Sequence, residues 1–153
     1  LSQRNEIAFR LYAAYAEGNR PSIFAFGGMD TIRGMPIQSI AGNRGGFVNL
    51  EWRFPLIDNL DLAFLRLSNV RGVLFVDVGT AWWDVDEGEF NYRGEPGFDF
   101  IEDGRLKDGV SAYGFGVDLQ FFGLPMHWDF SKRWDFEDTL GTLETDFWVG
   151  IRF

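Results

Sequence analysis

The chain is expected to be all-β, an antiparallel meander of about six strands. Apolar residues alternate with polar or small ones at a period of two in six separate segments. The stretches between them hold many of the chain's 19 glycines and show no sustained helical period. The apolar content of 46% is too high for a disordered chain.

The segments run in order. In "IAFRLYAAY", Ile7, Phe9, Leu11, Ala13 and Tyr15 share one face, and Ala8, Arg10, Tyr12 and Ala14 the other. In "GFVNLEWRF", Val48, Leu50, Trp52 and Phe54 oppose Asn49, Glu51 and Arg53. "RGVLFVDVG" sets Leu74, Val76 and Val78 against Phe75 and Asp77. "SAYGFGVDLQFF" sets Tyr113, Phe115, Val117, Leu119 and Phe121 against Ala112, Gly114, Gly116, Asp118 and Gln120. "MHWDFSKRW" and "DFWVGIRF" complete the series, with His127, Asp129, Ser131, Asp146, Trp148, Gly150 and Arg152 on the polar or small faces. Residues 55–70 have no clear period, and a short helical or irregular excursion there stays open.

Two longer connectors interrupt the meander. Residues 18–46 contain "GGMDTIRGMP" and "GNRGG", a loop rich in glycine that carries the cation Arg33. Residues 84–109 are acidic and aperiodic, as expected of a solvated loop.

Which face is wet decides the class. A soluble sheet would turn its apolar face to a core and its polar face to water. Here the apolar faces are heavy in Phe, Trp and Tyr with no helix to cover them, and the opposite faces mix Gly and Ala with Arg, Glu and Asp. Small residues with mixed charge suit a crowded, wet lumen. Segments of about nine to eleven residues match a tilted strand crossing the hydrocarbon layer. Trp82, Trp83, Trp128 and Trp134 near strand ends suit interfacial girdles. No run approaches the roughly 18 apolar residues of a transmembrane helix. A sheet in lipid must close, and six strands fall short of the roughly eight of small barrels, so the chain is expected to be the C-terminal portion of a larger transmembrane β-barrel.

Several motifs, in order, resemble the bacterial surface antigen family, the BamA-type outer-membrane assembly-factor superfamily. "GGMDTIRGM" is similar to the family's inward-folding loop, with Ile32, Arg33 and Gly34 matching and Met35 standing where an aromatic is usual. "NLEWRFPL" supplies Glu51, Arg53 and Pro55, and "LFVDVGTAW" supplies Phe75, Asp77 and Gly79. Ile151 and Phe153 match a terminal insertion signal, in which Trp148 takes the place of the usual glycine. The resemblance implies the last part of a barrel of about sixteen strands, preceded by periplasmic domains, in the bacterial outer membrane. It implies insertion or export of client polypeptides, with the loop of Arg33 and Gly34 held in the lumen by Glu51 and Asp77 as a conformational lock. The partners implied are outer-membrane lipid, the remaining strands and periplasmic domains of a longer chain, and clients.

The residues support no enzyme. There is no cysteine, hence no thiol nucleophile or thiolate metal site. Ser68, Ser111 and Ser131 lie in no nucleophile-elbow pattern. "DVDEGEF" does not meet the EF-hand spacing. The single histidine, His127, is expected as a hydrogen-bonded wall residue. No cofactor is expected, and a net charge of -9 argues against nucleic acid. Two other classes fit the same alternation: a barrel that anchors or exports an upstream hydrolase or propeller module, and a soluble β-barrel binding an apolar ligand.

Overall fold

In the computed structural model of the chain, residues 5–62, 65–84, 98–121 and 123–152 are described. Every regular element among them is a strand. These are β1 (Glu6–Tyr15), β2 (Phe24–Phe26), β3 (Ile40–Gly42), β4 (Arg44–Leu62), β5 (Leu65–Trp82), β6 (Ile101–Glu102), β7 (Arg105–Leu106), β8 (Val110–Phe121), β9 (Leu124–Trp134) and β10 (Thr139–Val149). Six of them form an antiparallel sheet in the order β1-β4-β5-β8-β9-β10. The short pairs β2–β3 and β6–β7 decorate the connectors. The sheet is open: no pairing joins β1 to β10 among the described residues.

The register turns the alternation into two unlike faces. On one, Ile7, Trp52, Leu74, Phe115 and Phe130 stand side by side across five strands. This face is exposed, with Phe9 at 62%, Phe115 at 48% and Leu74 at 44% of full accessibility. On the other, Arg10, Asn49, Asp77, Ala112 and Arg133 form one cross-strand row, and Ala8, Glu51, Phe75, Gly114 and Ser131 the next. Asn49, Glu51, Asp77, Asp129 and Ser131 are buried there. A soluble sheet has the reverse arrangement, because burying apolar area is the main source of its stability.

Residues 55–70, without clear period in the sequence, are strand on both sides of the β4–β5 connection. A register shift between Pro55 and Ile57 explains the missing period. An extra residue in one strand moves every later side chain to the other face. Pro55 also lacks the N–H a ladder needs, so the irregularity falls where pairing is weakest. β4 and β5 therefore reach 19 and 18 residues, longer than the expected segments.

The long connectors β1–β4 and β5–β8 lie at one end of the sheet, together with the short β9–β10 turn, whereas Phe121 pairs with Leu124 at the opposite end. The first loop is shorter than the sequence suggests, since β4 begins at Arg44. It is also partly ordered as the β2–β3 hairpin. In the second, β6 and β7 pair across a turn with positive φ at Asp103 and Gly104, and residues 85–97 of the expected acidic loop lie outside the described residues.

Candidate functional site

The β2–β3 hairpin leans over the polar face and holds a tight turn. Gly27 and Gly28 have φ of 119° and 95°, which L side chains rarely adopt. The Gly28 N–H donates to the Ile32 carbonyl at 3.1 Å, and the Thr31 N–H returns a bond to the Gly28 carbonyl at 3.1 Å. The Gly27 N–H donates to Thr31 Oγ1 at 2.7 Å. This self-bonded turn drives Ile32, Arg33 and Gly34 onto the sheet.

Each of the three meets a surface that fits it. Ile32 is fully buried and clusters with Phe26 and Phe47. It lies over Gly79, where a Cβ would overlap the Ile32 side chain. Gly34 has φ of 73°, and a Cβ there would stand 2.9 Å from Ser131 Oγ, so close approach to β9 requires glycine.

Arg33, 3% exposed, uses every guanidinium nitrogen. Nε and Nη2 donate to the two oxygens of Asp77, each at 2.7 Å, the forked geometry that suits a carboxylate. Nη1 donates to Glu51 Oε1 at 2.6 Å. The Arg33 backbone N–H adds a bond to Asp77 Oδ2 at 3.1 Å, which ties the main chain as well as the side chain. The cation lies 3.6 Å from the centre of the Phe75 ring. Burial alone would lower the Arg33 pKa, but the bonds and charges of Asp77 and Glu51 hold it above its ordinary value.

The carboxylates are themselves held. Asn49 donates to Asp77 Oδ1 at 2.7 Å and to the Thr31 carbonyl at 2.6 Å, and accepts from Arg10 Nε at 2.9 Å. Arg53 donates to Glu51 Oε2 at 2.9 Å and to Glu6 Oε1 at 3.0 Å. The structure thus gathers Ile32, Arg33, Gly34, Glu51, Arg53, Phe75, Asp77 and Gly79 around one docked turn. Ile151 stands apart: it follows the end of β10 and is exposed, and Phe153 lies outside the described residues.

Sequence reasoning passed over Asn49, Asp118, Asp129 and Arg152, although the alternation places all four on the polar face. Arg152 donates to Glu51 Oε1 at 3.1 Å, Asp118 Oδ1 at 2.9 Å and Asp129 Oδ1 at 2.7 Å. His127 sits in the wall, with Nδ1 2.7 Å from Asp118 Oδ1 and Nε2 donating to the Gly150 carbonyl at 2.8 Å. Trp148 stacks on His127 and donates to Asp129 Oδ2 at 3.2 Å. The signal was charge at Asp118, Asp129 and Arg152, and a polar amide at Asn49, on a face that also carries small residues. What they touch depends on register, which alternation does not contain.

Among the described residues no group of three or more His, Asp or Glu side chains could hold a metal ion. The arrangement is a network of buried ion pairs, suited to holding a segment in place. Comparison of the chain with protein-family models, with curated proteins and with solved structures gives no match.

Proposed function

We propose that this chain is a segment of an outer-membrane β-barrel belonging to a protein assembly or translocation factor, and that the Arg33 loop is a conformational lock inside its lumen. The observation that carries the reading is the docking of Arg33 on Asp77 and Glu51, on the buried polar face of a sheet whose other face is apolar and exposed. An uncovered apolar sheet face of this kind matches hydrocarbon as its solvent. Long connectors at one end and a tight turn at the other follow the usual asymmetry of such barrels. The free edges of β1 and β10 require further strands, because unpaired backbone is costly in lipid.

Removing one partner of a buried pair leaves the other charge uncompensated, a loss of about 3–5 kcal/mol. In the full-length protein, Arg33→Ala and Asp77→Asn should each lower barrel stability by that order. The double variant should lose far less than the sum. Both should change the rate at which a client polypeptide is inserted or translocated in reconstituted vesicles. Unchanged stability and unchanged transport in Arg33→Ala would remove the lock. A wild-type protein that stays monomeric in water without detergent would remove the membrane assignment.

A further inference from the structure

Glu51 is approached from both ends of the sheet. Arg33 comes from the long-connector end, within the loop between β1 and β4, and Arg152 comes from the tight-turn end, after β10. Both donate to the same oxygen, Oε1, at 2.6 Å and 3.1 Å. The other oxygen, Oε2, is taken by Arg53.

The segment after β10 is placed as firmly as a docked ligand. Gly150 donates its N–H to the Pro125 carbonyl at 3.1 Å, and its own carbonyl accepts from His127. Arg152 then turns onto the polar face, 5.4 Å from the Trp148 ring centre, and is buried among Glu51, Asp118 and Asp129. Its docking is less complete than that of Arg33: Arg152 Nε is buried without a hydrogen-bond partner, whereas every guanidinium nitrogen of Arg33 is used.

We propose that the loop and the post-β10 segment are competing latches, and that Glu51 is the carboxylate over which they compete. This rests on the reading of the Arg33 loop as a lock and adds a partner to it. Two cations on one buried oxygen repel each other and divide its hydrogen-bonding capacity. Withdrawing Arg152 also leaves Asp118 and Asp129 uncompensated, which deepens the negative potential around Arg33. Each latch therefore closes more tightly when the other opens. Release of one is favoured by engagement of the other, so the two ends of the sheet are coupled without either strand ladder moving. Binding free energies linked in this way are reciprocal.

These 153 residues have no cysteine, so a thiol introduced here has no competitor within the sheet. Met35 is half-buried at the edge of the Ile32 cluster, so labelling of the thiol in Met35→Cys speeds up as the loop lifts. In the full-length protein in detergent, Arg152→Gln should slow that labelling by roughly five-fold or more, the usual scale of coupling between sites. In the reciprocal arm, Arg33→Gln should slow hydrogen exchange of the Gly150 N–H by a similar factor. Glu51→Gln should shrink both effects. Labelling that is unchanged or faster in Arg152→Gln, with strand content retained by circular dichroism, overturns the competition while leaving the lock intact. If that variant loses strand content, the Gly150 exchange arm decides alone, and unchanged or faster exchange there overturns the proposal. Labelling of Met35→Cys in the parent that is already as fast as in Arg33→Gln overturns the lock and the competition together.

Discussion

Ile32 occupies the space that a side chain at position 79 would need. A Cβ on Gly79 would overlap Ile32 Cδ1 and stand 2.9 Å from both the Gly46 carbonyl oxygen and Phe47 Cβ. The glycine of β5 is thus the floor of the socket into which the loop inserts. Overpacking a closed site costs about 1–3 kcal/mol. Gly79→Ala should therefore lift the loop by that order, read as faster hydrogen exchange at the Arg33 N–H, which is bonded to Asp77. Shortening the intruder in Gly79→Ala/Ile32→Val should restore part of the protection. Equal exchange in parent and Gly79→Ala would show that Ile32 does not rely on this socket.

Phe75 presents a separable contribution to the same docking. Its ring lies under the Arg33 cation while Asp77 and Glu51 hold the guanidinium edge. Phe75→Leu keeps an apolar floor and all the charged bonds but loses the ring face. The cation–π term is worth about 0.5–2 kcal/mol, less than removing a charge partner. The variant should therefore fall between the parent and Asp77→Asn in chemical denaturation. A loss equal to that of Asp77→Asn would mean that the ring also positions the carboxylates.

Much of this site was legible in the sequence, for an identifiable reason. Strand alternation alone assigns Glu51, Asp77 and Asp129 to one face and Leu50, Leu74 and Phe115 to the other. The resemblance then singled out Arg33 as the cation for Glu51 and Asp77. The register was not legible. That Asn49 faces Asp77, and Glu51 faces Phe75, follows from how β4 and β5 align, and a strand pattern of period two repeats without marking its own zero. Residues 55–70 failed for a related reason, because the shift after Pro55 scrambles the phase that the reading depends on. The role of Arg152 was hidden because alternation places it on the polar face without showing that it reaches Glu51, Asp118 and Asp129.

The turn between β9 and β10 carries a pH dependence of known sign. Asp135 Oδ1 accepts the N–H of Asp138 at 2.6 Å and of Glu137 at 3.0 Å. These bonds, that from Asp138 first, lower the Asp135 pKa below the usual aspartate value. A lowered folded-state pKa stabilises the turn fully above the unfolded value, about 3.9, and the contribution disappears as pH falls through the lowered one. The amide shifts of Glu137 and Asp138 should thus share one step in that lowered range. In Asp135→Asn, which keeps an acceptor oxygen without a titrating group, that shared step should be absent. A shared step that survives in Asp135→Asn would contradict the bonding seen here.

Leu74 tests which solvent the exposed face meets. It stands in the middle of a cross-strand row, between Trp52 of β4 and Phe115 of β8, and is 44% exposed. On a water-facing surface an arginine there would be nearly neutral, within about 0.5 kcal/mol. On a lipid-facing surface near the bilayer midplane it would cost about 2–4 kcal/mol. Leu74→Arg in the full-length protein, unfolded reversibly by denaturant from lipid vesicles, should show the larger loss. The same substitution at a strand end, Val149→Arg at the exposed last residue of β10, should show a smaller one, since the cost of a charge falls towards the membrane interface. Depth dependence is the discriminating result. Apolar contact with another protein would penalise charge by packing rather than by distance from the bilayer centre, and equal losses at both positions would favour that explanation over lipid.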